Sequence, residues 1–203
     1  MEKFDEKCVN DYFDIVWQEM DQLRSQIKEG FYKKAVELIQ TCEKNGGRVH
    51  VTGIGKPSYV AGYIASLLSS TGTPAYVLHG TEAIHGSSGQ VREGDVVIAI
   101  SNSGETAELK ATVTTVKNNG AKIISVSGNP DSWLAKQGDA FLFAGVKKEG
   151  GPLNRAPRAS ILAEMIVLQG LSIILQNMKG ITPAQYVTWH PGGALGKLRE
   201  DEK

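Results

Sequence analysis

The sequence predicts an α/β chain built as a three-layer α/β/α sandwich with a five-stranded parallel sheet, and two observations carry that expectation. Short apolar runs, rich in β-branched residues, occupy residues 49–52, 75–78, 96–100, 123–126 and, more weakly, 141–143. They are apolar at consecutive positions, so both faces of each strand must be covered, as in a parallel sheet between helices. Helical patterns separate the runs, at roughly 57–71, 81–90, 105–119 and 131–137, with a long apolar one at 156–179. A strand–helix alternation of this kind gives crossover connections and a doubly wound, flavodoxin-like sheet.

Two amphipathic stripes precede the first strand. Cys8, Tyr12, Ile15, Val16, Met20, Leu23 and Ile27 recur at helical spacing until Gly30, and Phe31, Ala35, Leu38, Ile39 and Cys42 form a second stripe that stops at Asn45-Gly46-Gly47. Residues 1–45 therefore read as an N-terminal helical hairpin packed on a core domain of residues 46–203.

The chain has 203 residues, 41% hydrophobic and 22% charged, which suits one compact domain with helical appendages. Its 22 basic and 22 acidic residues cancel, so no global field recruits nucleic acid or an anionic membrane, and a small molecule or a protein is the expected partner. The segment 160–175 is broken by Glu164, Gln169 and Gly170 and is shorter than the about 20 residues that span a bilayer, so it reads as a buried helix. Its apolar surface, nearly continuous around the helix, exceeds what one sheet face needs and points to burial against another subunit. The charged N-terminus has no signal-peptide core, and Cys8 and Cys42 stand apart as helix-face residues, which together suggest a cytoplasmic protein. Trp17, Trp133 and Trp189 are dispersed and read as packing residues, and His50 and His79 carry no assigned role.

In a doubly wound sheet, ligands sit at the carboxyl ends of the strands. The loop after the first strand reads Gly53-Ile54-Gly55-Lys56-Pro57-Ser58. It lacks the third glycine of a dinucleotide fingerprint and is no Walker loop, so a tight strand-to-helix turn explains it equally well. The loop after the third strand is richer: Ser101-Asn102-Ser103-Gly104-Glu105-Thr106. Gly104 permits positive φ, the following helix aims its amides at the same point, and Ser101, Ser103 and Thr106 add hydroxyls. A helix cap needs one hydroxyl, and this turn supplies three and an amide, a donor set suited to a phosphate monoester.

From about residue 48 to 198 the chain resembles the sugar isomerase (SIS) domain family, and within it the arabinose-5-phosphate isomerase type. The stretches that carry the likeness are "GIGKPSYVAGYIASLLSSTGTPAYVLHGTEAIHG", "DVVIAISNSGETAEL", "APRAS" and "HPGGALGKL". The resemblance implies interconversion of an aldose and a ketose phosphate through an enediolate, with no cofactor and no metal, in a homotetramer whose sites borrow residues across interfaces. By motif position it implies four catalytic side chains. Lys56 would counter charge on the enediolate oxygen, Glu108 lies beside the phosphate loop, Glu149 is a general base or acid, and His190 would move protons between sugar oxygens or open the ring. Gly55, Ser58, Ser101, Asn102, Ser103, Gly104 and Thr106 would hold the substrate and its phosphate, with Glu82 and His85 as further contacts to sugar hydroxyls or as helix-start hydrogen bonders.

Three departures from the family's wording bear on which sugar is used. "GKS" is Gly55-Lys56-Pro57 here, "HGDLG" is His85-Gly86-Ser87-Ser88-Gly89, and "APTSST" is Ala156-Pro157-Arg158-Ala159-Ser160-Ile161. A hydroxyl and a carboxylate are lost and a cation is gained, which weakens the arabinose assignment more than phosphosugar binding. Family members of this type often continue into a tandem module of the cystathionine-β-synthase kind, whereas this chain stops five residues after Leu198. A phosphosugar-binding sensor that dispenses with the acid–base set, and an isomerase of another sugar phosphate, remain the alternatives.

Overall fold

The computed structural model describes residues 4–202. Two helices, α1 (Lys7–Gln26) and α2 (Lys33–Lys44), lead into the alternation β1 (Val49–Gly53), α3 (Lys56–Ser70), β2 (Ala75–Val77), β3 (Val96–Ile100), α4 (Ala107–Asn118), β4 (Lys122–Ser127), α5 (Trp133–Gln137), β5 (Ala140–Phe143), α6 (Ala159–Lys179) and α7 (Pro183–Trp189). All five strands pair in parallel in the order β2-β1-β3-β4-β5. The expected sandwich is therefore the one that forms. Val49, Val51, Ile98, Ile100, Ile124 and Val126 face one layer, built from α2, α3 and α6, while Val97, Ala99 and Ile123 face α4 and α5.

Two expectations need correction. Residues 81–90 form no α-helix but two 3₁₀ turns, Glu82–His85 and Ser87–Gln90, hinged at Gly86 with φ 117°. Only glycine takes that conformation at no steric cost, and the Ser-Ser-Gly that follows has little to sustain a helix. The long apolar helix expected at 156–179 starts three residues later: α6 has 21 residues, enough by length and composition to cross a bilayer, yet half of its apolar window is buried in the protein. One element escaped the sequence reading altogether. The short α7 is started by Thr182, whose hydroxyl accepts the Gln185 N–H while the Gln185 side chain accepts the Thr182 N–H, with Pro183 in the first turn.

The N-terminal helices pack on the core domain. Both lie against α6, and Leu23, Ala35, Val36, Ile39 and Cys42 belong to the same core as the sheet. Cys8 is exposed on α1.

At the amino ends of the strands, Asp95 gathers the starts of β1 and β3. Its carboxylate accepts the Arg48 N–H at 2.8 Å and the Arg92 N–H at 2.9 Å, and its Oδ2 lies 3.2 Å from His50 Nε2. Burial pushes the His50 imidazole below its usual pKa, against the opposing pull of Asp95. The folded ring thus holds a proton less tightly than the unfolded one. Stability from this site is complete above the ordinary value of 6.5 and is lost as pH falls below it. Urea denaturation should show His50→Gln losing less stability than the parent chain between pH 7 and pH 5; parallel losses would contradict a neutral buried imidazole.

Candidate active site

The order β2-β1-β3 makes the chain leave β1 toward β2 on one side and enter β3 on the other, so the crevice of the sheet opens at the carboxyl ends of β1 and β3. The loops 53–56 and 101–106 flank that point, and both carry predicted site residues.

The second loop is held open by its own side chains. Ser101 Oγ accepts the Gly104 N–H at 3.1 Å and lies 3.3 Å from Thr106 Oγ1, and Ser103 Oγ accepts the Glu105 N–H at 3.2 Å. Asn102 ties the loop to the next strand: its carbonyl accepts the Gly128 N–H and the Ser127 hydroxyl. Gly104 has φ 67°, and a Cβ there would collide with the Ser132 side chain that caps α5. Glu105 turns away from the crevice. It accepts from Lys110 Nζ and from the Trp133 N–H, and Lys110 first, then Trp133, hold its carboxyl below the usual range. With these bonds made, the N–H groups of Asn102, Ser103, Thr106 and Ala107 have no acceptor among the described residues. Four free amides at the start of a 12-residue helix form an anion cradle.

Glu108 is exposed in the first turn of α4, one step further along, with no partner among the described residues. Lys56 opens α3 and is likewise exposed and unpaired. Its side chain lines a cavity of about 390 Å³ with Tyr59, Tyr63, Pro157 and Ile161, which brings it to the start of α6. Glu149 is at the same place. Its Oε2 accepts the Arg158 N–H at 2.6 Å and the Ser160 N–H at 3.1 Å, and its own N–H donates to Asn154 Oδ1 at 2.7 Å. Oε1 has no partner among the described residues, so the carboxylate is oriented by α6 and keeps one oxygen available.

Gly55 has φ 65° and forms the N-cap of α3, but the Ser58 hydroxyl folds back on the Gly55 carbonyl at 2.6 Å. Both line a cavity of about 370 Å³ between the ends of β1 and β2, together with His79 and Gly80. Glu82 and His85 sit on the 3₁₀ turn beyond it, both exposed. His190 is elsewhere. It ends α7, stacked 4.0 Å from Tyr186 with Nδ1 3.0 Å from the Tyr186 carbonyl oxygen. Its neighbour Trp189 packs over Gly72, past the last residue of α3. Lys56 starts that helix, which is about 22 Å long at 1.5 Å per residue, so one chain does not bring His190 to Lys56.

The model of the SIS domain family matches residues 43–173. The chain belongs to that family. The arabinose 5-phosphate isomerase KdsD of Pseudomonas aeruginosa is 42% identical over 178 residues, 88% of this chain and 53% of that protein. KpsF of Escherichia coli O6:H1, another arabinose 5-phosphate isomerase, is 36% identical over 88% of this chain and 54% of its own. The chain thus spans about half the length of the curated relatives it matches. Among solved structures, the c3406 protein of E. coli CFT073 in complex with arabinose 5-phosphate is 33% identical, with a TM-score of 0.84 over 90% of this chain and 95% of that one.

Three residues of this SIS-family chain stand in or behind the site without a role that the sequence assigned. His79 closes β2 into the 370 Å³ cavity, where its Nδ1 accepts the Glu82 N–H at 3.3 Å; its place at a strand's carboxyl end was the available signal. Glu19 of α1 is buried, and its two oxygens accept the Lys147 and Lys148 N–H groups at 2.7 and 3.1 Å, which fastens the loop before Glu149. Glu164 lies buried on α6. No sequence spacing announces the last two.

Gly104→Ala should destabilise the domain by about 1–3 kcal/mol, since the new residue must hold positive φ and displace Ser132. Denaturant unfolding measures it, and a change below a few tenths of a kcal/mol would mean that the turn relaxes freely.

Proposed function

We propose that this chain is a sugar-phosphate aldose–ketose isomerase acting on D-arabinose 5-phosphate and D-ribulose 5-phosphate. The observation that carries the proposal is the pairing of an amide cradle at 102–107 with an oriented carboxylate, Glu149, in one SIS domain. The relatives that bear the name of this activity support the choice of sugar.

The phosphate seats on the free amides of the 101–106 loop, and its binding energy positions the sugar carbons. The unbound oxygen of Glu149 takes the proton from C2 of the aldose, the electron pair moves into the C1–C2 bond, and an enediolate forms. Lys56, unpaired at the mouth of the neighbouring cavity, offsets the charge that gathers on oxygen. Return of the proton at C1 gives the ketose, and no electrons leave the substrate. His190 suits proton traffic between the sugar oxygens.

Because His190 lies beyond the far end of α3, that last role requires a second copy of the chain. Tyr59, Ile166 and Ile173 are exposed on α3 and α6, 80%, 43% and 66% respectively, and offer the apolar face for such an assembly. A homotetramer with shared sites, working in the cytoplasm, is the arrangement we infer. The balanced charge and the isolated cysteines support it.

Incubation with ribulose 5-phosphate in D₂O tests the proposal. Carbon-bound deuterium and new arabinose 5-phosphate signals should appear by NMR, and Glu149→Gln should lower turnover about 10²–10⁴-fold with the sugar phosphate still bound. Ligand binding without exchange would replace the isomerase by a phosphosugar sensor.

A further inference from the structure

Glu164 is 0% exposed, and neither of its carboxyl oxygens has a hydrogen-bond partner among the described residues. One helical turn earlier on the same face of α6, Ser160 is equally buried and its hydroxyl is equally without a partner. The backbone of that serine is what Glu149 rests on: its N–H donates to Glu149 Oε2 at 3.1 Å. Two carboxyl groups therefore meet the first turns of α6, one on the amides at its start and one inside the protein a turn below.

A carboxylate without a partner is the most expensive group a core can hold, so Glu164 carries a proton. Burial first, and the negative charge of Glu149 second, push its pKa up to about 8. Further charged and titratable groups face α6, and three of them are engaged elsewhere. Glu19 of α1 is bound to Lys147 and Lys148 N–H groups, Glu43 of α2 pairs with Lys179 at the far end, and Tyr63 of α3 accepts from Gln169. Tyr32, just before α2, lies against Gly170, and the Arg158 guanidinium lies against Gly151. Lys56 of α3 lines the cavity at the start of α6 and is unpaired.

We propose that Glu164 is a positioning residue for Glu149: its carboxyl is kept as the neutral acid behind the site, so that α6 presents one negative charge to the substrate, and its ionisation turns the site off. The proposal rests on the reading of Glu149 as the proton-transfer group. A second negative charge at this place would oppose an anionic substrate and an anionic intermediate together.

Two measurements on the intact chain test it. The first needs no activity. Between the ordinary Glu value of 4.5 and about 8 the folded chain keeps a proton that the unfolded chain has released. Stability from this group is present below 4.5 and is lost as pH rises, at about tenfold in the unfolding equilibrium constant per pH unit. Glu164→Gln, and Glu164→Met as a second neutral variant in case the first folds poorly, should remove that slope. The second is the pH profile of ribulose 5-phosphate isomerisation, each protein scaled to its own rate at pH 7. The parent chain should fall on the alkaline side with a midpoint near 8. At pH 9 the neutral variants should keep about tenfold more of their rate than the parent keeps, an effect that a merely structural role would not produce. An alkaline limb that persists unchanged in both variants overturns the proposal, whatever the stability slope does. A parent chain with no turnover at any pH overturns the isomerase reading instead, and the unfolding data tell the two failures apart.

Discussion

The parallel pairing of β1 with β2 on one edge and with β3 on the other is the constraint on which the site depends. The helices that follow β1 and β3, α3 and α4, pack on opposite faces of the sheet, so the loops after these adjacent strands separate at their carboxyl ends. A crevice at that point needs no dedicated residues, because it follows from strand order. What the sequence adds is a set of loops whose backbone donors are left unpaired there. The buried ring of Asp95 contacts at the opposite end of the sheet keeps the starts of β1 and β3 together, which fixes the register from which the crevice inherits its shape.

The 101–106 turn shows how bonds within a loop can hold its backbone donors in place. Ser101 and Ser103 accept from neighbouring backbone N–H groups, the Asn102 carbonyl accepts from the next strand, and Glu105 is drawn off by Lys110 and Trp133. The result is a braced turn that keeps backbone amides free. An anion meets oriented donors that need no reorganisation, the condition under which electrostatic binding is strongest. Gly104 is indispensable to this because both its φ and its contact with Ser132 exclude a side chain.

Layer architecture, all five strands and the polar turn at 101–106 were legible because each leaves a local mark: consecutive apolar residues, hydroxyls around a glycine, a turn before a helix. The 3₁₀ segment at 82–90 was misread because a helix is the usual connection between two parallel strands, while Gly86, at φ 117°, breaks the backbone there. Among site residues, Ser101, Gly104 and Lys56 were placed by their loops. The orientation of Glu149 was not, since its partners Arg158 and Ser160 lie nine and eleven residues away across an irregular segment. Glu19 was further out of reach: it holds residues 147 and 148 from a helix more than 120 positions earlier in the chain. Separation of that kind is settled by packing and leaves no periodic trace.

Glu149 and Glu164 are the same chemical group treated in opposite ways by one helix. The first receives two backbone N–H donors at the start of α6, which fix its direction. The second is carried on the buried face, where the helix has already satisfied its own amides and has none to give, and where Ala163, Val167 and Leu168 surround the same stretch with hydrocarbon. A single helix thus orients one carboxyl with the amides at its open end and encloses the other in hydrocarbon a turn inside. Acid–base chemistry draws on carboxyls in unlike environments, and one helix supplies two here: backbone donors at its start and burial a turn further on.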